Sequence, residues 1–123
     1  MIEAGRVIQA LAGLRAPPSG WASARALQTA IESRLRELGV KVMRRRVDKR
    51  GQGELVVDSA PNLLLEISCS GEATRVSEAA AQLCIHRKGL PLAGAVMVLG
   101  SPPQHAALRS ALAALHITVV ECG

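Results

Sequence analysis

The sequence predicts an α/β protein with helices on both sides of a mixed central sheet, a three-layer α/β/α arrangement. Segments with helical spacing of apolar residues alternate with short apolar runs of strand length. Two of those runs, residues 63–69 and 95–99, are apolar almost throughout, which is typical of strands buried on both faces. Hydrophobic residues make up 49% of the 123, which is enough for one core. We therefore expect a single domain over residues 1–123 with the order α-α-β-β-β-α-β-α-β.

The first part of the chain predicts two helices and a strand. Apolar residues recur at steps of three and four over residues 2–14 and 23–38, and a Pro-Pro-Ser-Gly segment separates the two helices. Gly39 suits the end of the second helix because glycine readily adopts the left-handed conformation found there. Residues 40–47 then predict the first strand.

The middle of the chain predicts an antiparallel hairpin. Two short strands, residues 54–57 and 63–69, flank a five-residue turn rich in turn-forming residues. We expect Glu54 to lie near Ile67 in this hairpin, which brings Glu54 and Glu66 close together at one end of it.

The last part of the chain predicts two more helices, each followed by a strand. Residues 74–88 carry a helical pattern that Gly89 ends, and the apolar run that follows predicts the fourth strand. Ser101 followed by Pro102 is typical of a helix N-cap and first helical position. Residues 117–120 predict the fifth strand. The inward-facing residues expected on the last helix are Leu108, Ala111, Leu112 and Leu115.

Glu66 interrupts a run of aliphatic residues, where a carboxylate is costly unless it is paired, hydrogen-bonded or metal-bound. Together with Glu54 it could coordinate a hard divalent cation, since Mg²⁺ prefers carboxylate oxygens and can bind phosphate at its remaining positions. A buried salt bridge is the alternative explanation for Glu66.

The order of these elements and acids resembles the PD-(D/E)xK superfamily, which includes restriction enzymes, Holliday-junction resolvases and RecB-type nucleases. Glu54 matches the first metal-binding acid, and Glu66-Ile67-Ser68 matches the D/E-x-K triplet. Glu32 on the preceding helix matches an accessory acid. The segment Gln82-Leu83-Cys84-Ile85-His86 is similar to the Q-L-x-x-Y helix motif of RecB-like members, with His86 in the position of the tyrosine.

The resemblance implies a restriction endonuclease-like fold and a DNA substrate or partner. It implies Mg²⁺ or Mn²⁺ held by Glu54 and Glu66, with assistance from Glu32 and with Gln82 orienting the water or the phosphate. The expected activity is metal-dependent phosphodiester hydrolysis. The resemblance is also compatible with a homodimer or with a partner protein that completes the site.

Two departures from the family pattern leave the catalytic activity open. The family's lysine is Ser68 here, which cannot supply a positive charge, and the leading aspartate is Glu54. Arg75 or Lys88 are candidates for a relocated base. The alternative to an altered endonuclease is therefore a catalytically inactive nucleic-acid- or protein-binding module with the same fold. His86 is expected on a helix surface.

A cluster of basic residues lies on the first strand and the turn that follows it. The chain as a whole carries a formal net charge of +5, and Asp48 is the one acid within the cluster. Such a cluster favours salt-dependent binding to a phosphate backbone, although charges also protect exposed strand edges from aggregation. The predicted nucleic-acid-binding residues are Lys41, Arg44, Arg45, Arg46, Lys49 and Arg50.

A third hypothesis comes from the C-x5-R spacing of Cys69 and Arg75, between a buried strand and a helix. Phosphatases of the tyrosine-phosphatase kind place a thiolate nucleophile and a phosphate-binding loop in such a position. Glu72 argues against this hypothesis, because it would put a negative charge in an anion-binding loop. The preceding antiparallel hairpin also argues against it.

Composition excludes some classes of function. Trp21 is the only aromatic residue, so the chain lacks a platform on which single-stranded bases could stack. No apolar run approaches the roughly 20 residues of a membrane helix. The three cysteines form no CxxC pair. We expect a cytoplasmic protein with reduced thiols and no membrane association.

Overall fold

The computed structural model describes residues 1–47 and 53–123, which form four helices and a five-stranded mixed sheet. The helices are α1 (Ala4–Ala12), α2 (Ala24–Glu37), α3 (Ala73–Arg87) and α4 (Ala106–Ala114). The strands are β1 (Val42–Val47), β2 (Gly53–Val57), β3 (Leu63–Ser68), β4 (Gly94–Leu99) and β5 (Ile117–Glu121). The predicted α/β class and the predicted order of the elements are confirmed.

The strands lie in the sheet in their order along the chain, β1-β2-β3-β4-β5. β1, β2 and β3 pair antiparallel, whereas β3, β4 and β5 pair parallel. The change of direction follows from the connections. Short turns can reverse the chain between antiparallel neighbours, whereas α3 and α4 carry it back so that the next strand starts at the same end.

Two apolar clusters pack against alternate residues of the sheet. Leu65 and Ile67 of β3 pack with α1 and α2, whereas Leu64 packs with α3 and α4. Adjacent strand residues point to opposite faces, so β3 contributes to both clusters and all six of its residues are buried. The predicted burial of this strand on both faces is confirmed. Burying apolar surface on both faces stabilises the sheet by roughly 25 cal/mol per Å².

The ends of α2 agree with the signals in the sequence. The side chain of Ser23 accepts a hydrogen bond of 3.1 Å from the backbone N–H of Ala26, which caps the first turn. Gly39, just beyond the last turn, has a φ of +72°. Residues with a Cβ seldom adopt this conformation, so glycine ends the helix there at little steric cost.

The predicted start of the last helix is wrong. α4 begins at Ala106, five residues after Ser101. The intervening segment packs against the loop between β3 and α3, because Gln104 donates its backbone N–H to the Gly71 carbonyl at 2.7 Å. The Gln104 side chain also accepts a hydrogen bond of 3.1 Å from the backbone N–H of Ala73. These contacts hold residues 101–105 outside a helix.

The predicted inward face of α4 is correct only in part. Leu112 is buried and Leu108 packs partly against the second cluster, whereas Ala111 and Leu115 are exposed. The late start of α4 leaves a short helix, so fewer of its turns rest on the sheet.

Gly71 has a steric role that a substitution would reveal. A Cβ at this position would lie 1.8 Å from the carbonyl oxygen of Pro102, which is far inside van der Waals contact. We expect Gly71→Ala to destabilise the protein by about 1–3 kcal/mol, because the backbone of the loop after β4 has to move. The midpoint of urea unfolding would measure the change.

Gly5→Ala is the matched control for this prediction. Gly5 lies within α1 and has no atom near the position of a Cβ, so alanine there should not lower stability. Equal unfolding midpoints for the Gly71→Ala variant and the wild type would show that the loop at Pro102 accommodates a Cβ at residue 71 without loss of stability.

Candidate functional site

Glu54 and Glu66 lie directly opposite each other on β2 and β3. The expected proximity of the two acids is therefore found, but the expected register is wrong by one residue, since Glu54 does not pair with Ile67. The reason lies outside the hairpin. Val57 pairs with Leu63, and the backbone N–H of Asp58 donates to the carbonyl of Lys41 at 2.9 Å, so Asp58 bonds toward β1 and does not take the predicted place opposite Leu63.

Both carboxylates point to the face of the sheet that carries α3 and α4. Their neighbours Leu55 and Leu65 belong to the cluster of α1 and α2, and strand side chains alternate. Glu54 is 3% exposed and Glu66 is 4% exposed. Directly opposite residues of an antiparallel pair have Cβ atoms roughly 5 Å apart, so two buried acids lie side by side on one face of the sheet.

His86 of α3 contacts this pair, because its Nδ1 hydrogen-bonds to Oε2 of Glu54. The sequence identified His86 as the residue in the tyrosine position but placed it on a helix surface, which is wrong. Its side chain is only 22% exposed. The signal that could have located it is the spacing to Gln82, since residues four apart share one stripe of a helix.

Gln82 lies one turn before His86 and is half-buried. Glu54, Glu66 and Gln82 each take part in a noncovalent interaction, so none of the three is without a partner. A buried acid with a partner is what the salt-bridge alternative for Glu66 requires, because the energetic cost of burial is then offset.

Ser68 is buried on the same face as Glu66, two residues further along β3. Its hydroxyl donates to the carbonyl of Ser70 at 3.0 Å, so it stabilises the turn that follows the strand. The alternative basic residues lie at the two ends of α3, with Arg75 half-buried in the first turn and Lys88 exposed at the C-cap.

The structure does not bring Glu32 to the acid pair. Glu32 of α2 hydrogen-bonds to Arg44 of β1, whose partner in the sheet is Leu55. Leu55 packs with α1 and α2, so Glu32 lies on the opposite face of the sheet from Glu54 and Glu66. No local pattern in the sequence predicts this separation, because the face of the sheet that α2 packs on is decided by tertiary packing.

The residues present do not fit a catalytic Mg²⁺ ion. A catalytic metal needs open positions for water and for the phosphate of the substrate. The two acids are almost completely buried, and Glu54 is hydrogen-bonded to His86. Within residues 1–47 and 53–123, no group of three or more His, Cys, Asp or Glu side chains is arranged to hold a metal ion.

Of the predicted nucleic-acid-binding residues, the structure describes the side chains of Lys41 and Arg44, and both are exposed. Lys49 and Arg50 lie outside the described residues, as do the side chains of Arg45 and Arg46. β1 is the first strand in the order of the sheet and forms one edge of it.

The surroundings of Cys69 do not favour a thiolate nucleophile. Burial raises the pKa of this thiol, whereas an attacking cysteine needs a lowered pKa. Its sulfur lies 3.9 Å from the carbonyl oxygen of Trp21, and Glu72 is the N-cap of α3. The amide of Ala73 at the start of α3 already donates to Gln104, so it is not available to an anion.

Comparison with known proteins found no match to a family model, to a curated protein or to a solved structure. The resemblance to the PD-(D/E)xK superfamily therefore stays a prediction. None of the described helices has the length and apolar character needed to cross a membrane.

His86→Ala should destabilise the protein by about 1–3 kcal/mol, because it leaves a buried carboxylate oxygen of Glu54 without its hydrogen-bond donor. Denaturant unfolding followed by circular dichroism would measure the loss. His105→Ala is the control, since His105 is exposed and its side chain makes no capping bond. If both variants unfolded at the same denaturant concentration, the bond between His86 and Glu54 would be of no consequence for stability.

Cys69 should react with iodoacetamide at pH 7 more slowly than a small thiol of ordinary pKa, because burial disfavours its thiolate. The rate should rise as the pH rises toward the elevated pKa. Mass spectrometry of the labelled peptide would follow the reaction, with Cys69→Ser to assign it. If Cys69 were labelled faster than the small thiol, it would be an activated nucleophile, and that result would support the phosphatase hypothesis.

Proposed function

We propose that this chain is a nucleic-acid-binding domain of the restriction endonuclease-like kind that does not hydrolyse DNA. The observation that carries the proposal is the burial of Glu54 and Glu66 on one face of the sheet, with His86 bonded to Glu54. The acids lie where the resemblance implies catalytic residues, but both are buried and Glu54 is hydrogen-bonded to His86, as is typical of structural residues.

The arrangement of the elements supports the proposed fold. The sheet is mixed, with an antiparallel hairpin that holds the acids and a parallel half that follows it. Two helices pack in each of two separate clusters, on alternate residues of the strands. This packing supports a three-layer arrangement, and the order of the elements from α2 to β4 is the one that the resemblance implies.

The chemistry at the acid pair supports an inactive domain. Hydrolysis of a phosphodiester needs a metal or a cation beside the scissile phosphate, together with a water positioned for attack. Ser68 occupies the position of the family's lysine, and its hydroxyl donates a hydrogen bond to the backbone carbonyl of Ser70. Two acids that are 3% and 4% exposed offer little surface to a phosphate.

The charge distribution supports binding to a nucleic acid. The chain carries a net charge of +5, and its basic cluster begins on β1, where Lys41 and Arg44 are exposed. Basic side chains along a sheet edge can follow a phosphate backbone, which gives affinity without sequence preference. With Trp21 as its only aromatic residue the chain has no base-stacking platform, so the proposal is for duplex DNA.

A fluorescence-anisotropy titration against a short labelled duplex tests the binding half of this proposal. We expect binding that weakens steeply between about 50 and 200 mM salt, because each phosphate contact releases counterions. Lys41→Glu should weaken binding and flatten the salt dependence by about one unit or more of slope. Arg6→Glu, an equal change of charge on an exposed residue of α1, is the matched control and should have a smaller effect.

The catalytic half is tested by incubating the same DNA with Mg²⁺ or Mn²⁺ and by calorimetric titration of Mn²⁺ into the wild type and Glu66→Ala. We expect no cleavage and no stoichiometric Mn²⁺ binding. Cleavage that disappears in Glu66→Ala would establish an active nuclease instead. Failure of the wild type to bind DNA at low salt would refute the nucleic-acid-binding proposal itself.

A further inference from the structure

Glu32 and Arg44 form a bidentate ion pair at the edge of the sheet. The Nε and Nη2 atoms of Arg44 donate to Oε1 and Oε2 of Glu32, each at 2.7 Å. Arg44 is 66% exposed, whereas Glu32 is 12% exposed and extends from α2. A basic residue of the proposed DNA-binding surface is therefore bonded to a carboxylate of its own chain.

Glu32 is held in place and charged. The two hydrogen bonds from Arg44 keep the pKa of the Glu32 carboxyl below its ordinary value, so it is an anion at neutral pH. The Nε2 atom of Gln28 lies 3.5 Å from Oε1 on the inner side. On the outer side an open cleft of about 540 Å³ is lined by Glu32, Arg36, Val40, Val42, Met43 and Arg44.

The atoms of Arg44 that bind Glu32 are the ones that would bind a phosphate. The planar guanidinium recognises carboxylates and phosphates through the same pair of parallel N–H groups. While those groups donate to Glu32, the net charge of the pair is close to zero, and the pair contributes little to attraction or to counterion release.

We propose that Glu32 competes with the nucleic-acid backbone for Arg44 and thereby limits the affinity of the β1 surface. Arg44 then adds a phosphate contact only when its ion pair with Glu32 opens. The inference rests on the proposed function and concerns the strength of binding at the same surface. It also gives Glu32 a role unrelated to the metal-assisting role that the resemblance implies.

If Glu32 supports the binding of a phosphate by Arg44, the expected change in affinity has the opposite sign. If Glu32 held Arg44 in position, so that the remaining N–H groups of the guanidinium could contact a phosphate, removing the charge of Glu32 would weaken binding. The sign of the change in affinity therefore distinguishes a competitor from a support.

The test is a comparison of three variants in the anisotropy assay with the same labelled duplex. Glu32→Gln removes the competing charge and keeps the shape of the side chain. Glu32→Gln combined with Arg44→Gln removes the arginine that the first variant releases. Glu121→Gln is the matched control, because Glu121 forms a comparable ion pair with Arg109, at 2.7 Å, on the opposite edge of the sheet.

We expect Glu32→Gln to bind about two- to fivefold more tightly, the range that an exposed ion pair corresponds to. Its salt dependence should steepen by about one unit of slope, for one additional phosphate contact. The double variant should lose this gain, and Glu121→Gln should bind like the wild type.

Three outcomes would overturn the inference, and they are distinguishable. Equal or weaker binding by Glu32→Gln, beside a wild type that binds DNA, would reject Glu32 as a competitor and leave the proposed function intact. An equal gain in Glu121→Gln would show a general effect of net charge. An absence of binding by the wild type and every variant would reject the proposed function together with the inference.

Discussion

The burial of β3 on both faces is the constraint on which the rest of the structure depends. Its six residues are all buried, and its apolar residues divide between two clusters, one with residues of α1 and α2 and the other with residues of α3 and α4. An aliphatic strand satisfies this requirement at most positions. Glu66 and Ser68 do not, so their polar atoms need partners within the protein. The Ser68 hydroxyl donates to Ser70, and Glu66 lies opposite a second acid that contacts α3.

The acid pair belongs to the interior of the molecule more than to its surface. Burying a carboxylate costs free energy that hydrogen bonds and opposite charges offset. Removing one partner of a buried pair lowers stability more than replacing both partners with apolar residues, because the remaining charge stays buried. His86 thereby joins α3 to β2 through a polar contact next to an apolar cluster. The burial of the two acids is also the reason that the proposed function does not include hydrolysis of DNA.

The two faces of the sheet divide the polar residues into two sets with different roles. Glu54, Glu66 and His86 lie with α3, whereas Glu32 and Arg44 lie with α2 at the open edge beside β1. In the first set both acids are buried, and Glu54 is hydrogen-bonded to His86. The second set includes an exposed arginine whose bonding groups can be exchanged between a carboxylate and a phosphate. The competition proposed for Arg44 therefore lies on the other face of the sheet from the buried acids.

The sequence by itself determined the order of the elements, the end of α2 at Gly39, the burial of β3 and the approach of Glu54 to Glu66. Each of these depends on local spacing, on turn chemistry or on a short hairpin, which few residues decide. Only the tertiary structure decided the register of the hairpin, the start of α4, the contact of His86 with Glu54 and the position of Glu32. Those features depend on β1, on the loop that holds Gln104 and on the face that each helix covers. The partners are far apart in the chain, and local sequence patterns do not predict which distant groups come into contact when the helices pack on the sheet.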